Sequence, residues 1–155
     1  MVGARWDEID LAAKVWTIPA ERMKVNKEYA VPLSQRAVEI LTRLPRDNSD
    51  FLFPGAKETK PISNMAMLEL LRGMKGDRLT VHGFRSTFRD WAGDRTGFPR
   101  EIIEHALAHK IRDKAEASYR RSDALEKRRR LMEAWSAYCC SLVEGGGVVA
   151  LRTAS

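Results

Sequence analysis

The stretch LTVHGFRSTFRDWAGDRT, residues 79 to 96, sets His82 and Arg85 three residues apart, ahead of Phe84, Phe88, Trp91 and Ala92 at helical spacing. An imidazole and a guanidinium on one side of a helix's first turn can address a common anion. A further histidine, His109, stands in ALAHK where the next helix should end, and ten residues on Tyr119 is followed by Arg120 and Arg121. His, Arg, His and Tyr together are what a metal-free phosphodiester exchange requires. An arginine fork binds the non-bridging oxygens as charge builds on a pentacoordinate phosphorus. A tyrosine can attack and form a covalent intermediate, and a cationic setting stabilises a phenolate whose ordinary pKa is about 10. The departing oxygen needs a proton, which a nearby Lys or His can supply. No acidic cluster has metal-ligand spacing, so the reading invokes neither a metal nor any other cofactor. The plain alternative makes Phe84, Phe88 and Trp91 a core stripe, with His82 and Arg85 as surface residues on a first turn.

The elements that must position these residues begin with a small sheet. KVWTIP, residues 14 to 19, alternates around Val15, Trp16 and Ile18, and YAVPL, residues 29 to 33, follows a polar stretch, which predicts two antiparallel strands. Ser34 should cap a helix carrying Ala37, Val38, Ile40, Leu41 and Leu44, stopped at Pro45. Residues 50 to 53 form a short apolar element ended by Pro54 and Gly55. From Ser63 onward the pattern is helical. Ser63 or Asn64 caps a helix with Met65, Met67, Leu68, Leu70 and Leu71, terminated by Gly73 and Gly76. The opening stretch then runs to about Asp94, and after a break at Gly97 to Pro99 comes a helix over 100–108. A connection at 110–114 and the segment 115–119 lead to a last helix from Ser122, with Leu125, Leu131, Met132, Trp135 and Tyr138 inward and Glu126, Lys127, Arg129 and Arg130 solvated. The class is α+β, mainly helical: a small antiparallel sheet near the N-terminus, then a helical bundle.

The chain has 155 residues with 44% apolar composition, which supports a folded core, and no apolar run is long enough to span a bilayer. Its start, MVGARWDEID, lacks a secretory ramp, so the cytoplasm is the expected compartment. Lys and Arg number 27 against 21 for Asp and Glu, a net +6 that favours a polyanionic partner. The only cysteines, Cys139 and Cys140, are adjacent, which excludes a disulfide framework and a zinc motif.

WDEID at 6 to 10, ERMKVNKEYAVPLS at 21 to 34, FPG at 53 to 55, HGFRSTFRDWA at 82 to 92 and LAHKIRDKAEASYRRSD at 107 to 123 together resemble the C-terminal catalytic domain of the tyrosine recombinases, specifically prophage and genomic-island integrases. HGFR, LAH and YRR in this order are specific, whereas a lone HxxR is weak. The resemblance implies site-specific recombination of double-stranded DNA at attachment sites, with self-association on DNA, in a bacterial cytoplasm at the nucleoid. Tyr119 would be the nucleophile that forms a 3′-phosphotyrosine. Arg85 would be the second of two phosphate-clamping arginines, with His82 and His109 at the scissile phosphate. Lys24, in the turn between the predicted strands and eight residues before Pro32, would be the general acid, with Lys27 as its competitor. His105 has no counterpart in the resemblance and is read as an ordinary helix residue.

The same resemblance expects an earlier arginine, on a helix before the first strand. Ala4-Arg5-Trp6-Asp7-Glu8 spells the small-Arg-x-x-Glu context, yet residues 6 to 10 match the stretch that should follow it, so Arg5 is read as a surface arginine beside a strand. The expectation is a partial catalytic domain over 1–140 that lacks its first helices, followed by a flexible tail over 141–155. A clamp without one arm loses on the order of 10²- to 10³-fold in rate, so recombination by this polypeptide alone should be impaired. The competing readings are a non-catalytic DNA-binding module and a protein-interaction module.

Overall fold

A computed structural model describes residues 2–46, 49–57, 59–63, 65–74, 79–109 and 121–144, with side chains over 124–141 in the last span. Three short strands, β1 (Ile9–Asp10), β2 (Val15–Ile18) and β3 (Tyr29–Pro32), form one antiparallel sheet in the order β1-β2-β3. The two strands expected from the sequence are β2 and β3. β-branched and aromatic residues suit them to a pleated, half-buried surface. Trp16 lies opposite Val31 and Ile18 opposite Tyr29, and Pro32, which has no N–H to give, sits at the strand's end opposite Val15. β1 is an addition, since two residues carry no periodicity to read. The turn into β2 holds Lys14 at φ 53, with the Ala13 amide donating to Asp10 Oδ1 at 2.7 Å.

The helices are α1 (Gln35–Arg43), α2 (Ala66–Gly73), α3 (Gly83–Arg95), α4 (Arg100–Ala106) and α5 (Arg121–Glu144). This is the α+β, mainly helical class expected from the pattern. Ser34 caps α1 as anticipated, accepting from the Ala37 amide at 3.2 Å. α2 departs from the expected cap: Met65 holds the N-cap without a side-chain bond, and Gly73 is the last helical residue, while Asn64 and Gly76 lie outside the described residues. The anticipated connection at 110–114, the segment 115–119 and the tail from Gly145 lie outside the described residues. No helix among the described residues is long and apolar enough to cross a membrane.

Two apolar clusters hold the fold. One gathers Ala4, Leu33, Leu41 and Leu52 between the sheet and α1. The other joins Phe88, Trp91 and Ala92 of α3 to Ile102, Ile103 and Leu107 and to Leu131 of α5, with Trp135 and Tyr138 packed against it. Trp91 lies 5.0 Å from Trp135 and 5.4 Å from Tyr138 between ring centroids, within the range of favourable aromatic pairing. Phe84 corrects the expected stripe. It is 54% exposed, whereas Phe88, one turn later, is buried in the cluster formed with α4 and α5.

α5 corrects a second expectation, that its basic side is simply solvated. Arg128 is buried at 4% exposure, on the stripe with Ala124 and Leu131, and donates to the Ala30 carbonyl of β3 at 2.7 Å. Arg129 donates to the carbonyls of Ala13 and Lys14, each at 3.2 Å. β3 is an edge strand, and Arg128 ties α5 to that edge through the Ala30 carbonyl, while Arg129 ties α5 to the turn that leads into β2.

Candidate phosphate site

The end of α4 is the most constrained part of the site. Ala106 is its last helical residue, Leu107 the C-cap, and Ala108 adopts the left-handed conformation at φ 53. The Ala108 amide returns to the His105 carbonyl at 3.0 Å and the His109 amide to the Glu104 carbonyl at 3.0 Å. That pair of bonds is a Schellman motif, which satisfies carbonyls the helix leaves open and fixes the direction of His109. The His109 ring is then oriented by its neighbour, with Nδ1 on Glu104 Oε2, while Arg89 Nε donates to the other carboxylate oxygen at 3.0 Å. The hydrogen bond from His109 holds the Glu104 carboxyl below its ordinary pKa, joined by the bond and charge of Arg89, and partly opposed by burial. An ionised Glu104 accepts from Nδ1 and so favours a proton on that nitrogen.

Arg85 arrives from the first turn of α3. Its Nη2 donates to the Leu107 carbonyl, at the end of α4 where the helix dipole is negative. A guanidinium has five N–H donors in a planar fork, so anchoring one fixes the plane while a fork remains for an anion. His82 is the N-cap of α3 and makes no capping bond with its side chain. In its place Thr80 serves the turn, its Oγ1 accepting from the Gly83 amide at 3.0 Å. The structure therefore brings Arg85 to the turn that carries His109, and sets His82 one helical turn before Arg85.

The remaining expected residues are placed less closely. Lys24 is exposed in the turn between β2 and β3. Lys27, its competitor in the same turn, is near enough to α4 for its charge to disfavour protonation of His105. Tyr119 and Arg120 lie outside the described residues. Arg5 donates to Asp50 Oδ2 at 2.9 Å, lies 3.5 Å from Asp7 Oδ1 and stands over the Phe51 ring, a set of acidic and aromatic surface contacts.

Sequence reasoning missed a group behind the site. The Tyr29 hydroxyl donates to the His105 carbonyl. Its ring meets the His105 imidazole edge-on at 5.9 Å and lies 5.1 Å from the Arg128 guanidinium carbon. Burial raises the phenol's pKa, against the charge and hydrogen bond of Arg128, the Ala108 backbone and the charge of Arg85. Tyr29 therefore stays a neutral hydrogen-bond donor. His105 is no ordinary helix residue either: its Nδ1 is buried with no partner among the described residues, and burial, with Arg128 and Lys27 adding to it, lowers its pKa from 6.5 to about 4. The one available signal was Arg128 three residues before Leu131, on the buried stripe of α5.

A fold with a small antiparallel sheet, a helical bundle and a histidine-arginine pair opening a core helix against a second histidine defines the class. The phage integrase family model matches residues 1–126, and the chain belongs to that family. It is similar to the prophage integrase IntA of Escherichia coli (strain K12), with 41% identity across 86% of this chain and 33% of the relative. Against the integrase of Enterobacteria phage P4 the identity is 35%, covering 87% of this chain and 35% of that one. Against the prophage integrase IntZ of Escherichia coli (strain K12) it is 34%, covering 92% and 36%. The chain thus spans about a third of the length of these relatives. No solved structure matches it.

Proposed function

We propose that this chain forms the catalytic part, over 1–140, of a tyrosine-type site-specific DNA recombinase, acting on double-stranded attachment sites in a bacterial cytoplasm at the nucleoid. The observation that carries the reading is Arg85 fastened to the Leu107 carbonyl, which sets a fixed cation beside the turn that aims His109. A phosphodiester held there meets the guanidinium fork and two imidazoles, those of His109 and His82. The Tyr119 hydroxyl gives its proton to the His82 imidazole as its oxygen attacks phosphorus, the bond to the 5′ oxygen breaks, and Lys24 gives that oxygen its proton. A 3′-phosphotyrosine and a free 5′-hydroxyl result. The phosphoester bond energy is retained, so a second strand's 5′-hydroxyl reverses the step without a nucleotide cofactor.

The test has two parts. Crystals grown in sulfate should hold one anion bound by Arg85, His82 and His109. Side chains too far apart for one anion to bridge would overturn the reading. In a chain extended at its N-terminus to the length of its relatives, attachment-site DNA carrying a nick should trap a covalent adduct. Tyr119→Phe should abolish that adduct and leave DNA binding intact, and an adduct that persists would place the nucleophile elsewhere. Lys24→Ala and Lys27→Ala, compared in the same assay, decide which lysine is the acid: a 5′-bridging sulfur, which leaves without a proton, should rescue only that variant.

A second reading, self-association, is favoured by apolar side chains on α2 and around the start of α3. Leu70 is 61% exposed, Met74 68%, Leu79 54% and Phe84 54%. Such a group of exposed side chains suits a protein contact, and sedimentation of the chain over a concentration series tests for it.

A further inference from the structure

We infer that Tyr29 is a positioning residue: it braces the closing turn of α4 and thereby sets where His109 and Arg85 stand relative to one another. The inference rests on the proposed phosphate site and adds to it a residue that touches no substrate.

Ala108 holds a left-handed conformation that an L side chain disfavours, so bonds from outside the helix add to the two that the motif itself supplies. The His105 carbonyl is the shared point. It accepts from the Ala108 amide within the motif and from the Tyr29 hydroxyl across the fold. Two residues on, the Leu107 carbonyl accepts from Arg85. One short turn is thus pinned from the sheet on one side and from α3 on the other, and His109 leaves it with its direction set.

Tyr29 can brace the turn because it is itself held. Its backbone lies in β3 opposite Ile18. Its ring is confined between the His105 edge and the Arg128 guanidinium, and Arg128 is fixed by the carbonyls of Ala30 at 2.7 Å and Ala124 at 3.2 Å. A hydroxyl on a ring with this little freedom loses little entropy on bonding. Burial also keeps the phenol protonated and therefore a donor. A path of direct contacts runs from α5 through Arg128 and Tyr29 to the turn, and from the turn to Arg85.

The test uses the full chain labelled with ¹⁵N and the variant Tyr29→Phe, which removes one oxygen and keeps the ring. Hydrogen exchange at the Ala108 and His109 amides should quicken roughly three- to tenfold, the scale of one lost hydrogen bond, while Trp91 and Ala92 amides keep their protection. Unchanged exchange at 108 and 109 would overturn the inference, and so would an equal loss at 91 and 92, the mark of a purely structural role. p-Aminophenylalanine at position 29, which retains a donor, should restore protection; failure to do so would also overturn it. Titration with inorganic sulfate, read at the Arg85 Nε signal, separates this inference from the function it rests on. If the unaltered chain binds sulfate there, Tyr29→Phe should weaken the affinity by a similar factor, and equal affinities would overturn the inference. If sulfate moves neither Arg85 nor His109 in the unaltered chain, the phosphate-site reading falls, while the exchange data still decide whether Tyr29 sets the turn.

Discussion

At the end of α4 the amides of Ala108 and His109 return to the helix's own carbonyls, Tyr29 bonds the turn from the sheet and Arg85 bonds it from α3. The start of α3 is built otherwise. His82 makes no capping bond, the turn depends on Thr80, and Phe84 beside it stands 54% exposed. Each helix end carries one histidine of the proposed site, but the two are held by different numbers of contacts. His109 is aimed by its surroundings before any ligand arrives, whereas His82 relies on the helix that follows it. Preorganisation is concentrated where the fold already needed to terminate a helix, because a terminated helix must satisfy its carbonyls in any case.

The largest predicted effect tests whether the apolar packing of α3 begins only at its second turn, behind the polar anchor that Arg85 makes. Phe88 is buried against Trp135, with ring centroids 5.5 Å apart, so Phe88→Ala should destabilise the protein by about 3–5 kcal/mol. Phe84→Ala, one turn earlier, should change stability by no more than about 0.5 kcal/mol. Urea unfolding of both variants checks the pair. A comparable loss at Phe84 would mean that the first turn is covered in solution, and the contrast between the two helix ends would collapse.

That contrast also explains what the sequence could reveal. The strands at 15–18 and 29–32, the Ser34 cap and the buried Phe88, Trp91 and Leu131 all follow from local periodicity and capping chemistry, which are short-range properties of the chain. The HGFR and LAH motifs placed Arg85 and His109 near helix ends for the same reason. Phe84 was misread because it shares the helical phase of Phe88, and phase does not report where a neighbouring helix stops. Tyr29, His105 and Arg128 escaped because their bonds cross 76 and 98 residues. An arginine in a run of basic residues reads as solvated until the register of α5 turns it toward an open strand edge.

A smaller effect should appear in acid, and it belongs to the constrained end alone. In the unfolded chain the His105 imidazole titrates near its ordinary 6.5, whereas in the folded chain burial and the charges of Arg128 and Lys27 bring it to about 4. Between those values the unfolded chain holds the additional proton, so stability is full above about pH 6.5 and declines as the pH falls toward about 4. Tyr29, packed against the ring, stays neutral throughout this window. Glu104 acts lower: its depressed pKa adds stability above the ordinary carboxylate range that is lost only as the pH falls through its folded value. Unfolding free energies measured from pH 7 to 4 should slope downward for the unaltered chain and flatten for His105→Phe, which keeps a ring and cannot charge. A slope that survives this change would assign the acid sensitivity to some other group.

The smallest effect concerns the left-handed residue, and it has the opposite sign. Ala108 sits at φ 53, where an L residue costs roughly 1–2 kcal/mol; glycine relieves that strain and gives back roughly 0.5–1 kcal/mol through its greater freedom when unfolded. Ala108→Gly should therefore stabilise the protein by about 0.5–1 kcal/mol, seen as a higher urea midpoint with an unchanged slope. The converse exchange at the other helix end gives a control. At Gly83 an added Cβ would come within 3.2 Å of Thr80 Oγ1, so the helix propensity gained by Gly83→Ala, up to about 1 kcal/mol, is offset by crowding of the side chain that accepts from the Gly83 amide. A gain at position 108 with none at 83 would mean that the end of α4 carries strain which its partners outweigh. If Ala108→Gly instead lowers the midpoint, the left-handed turn is favoured by alanine in solution, and Tyr29 and Arg85 would be bracing a conformation that needs no brace.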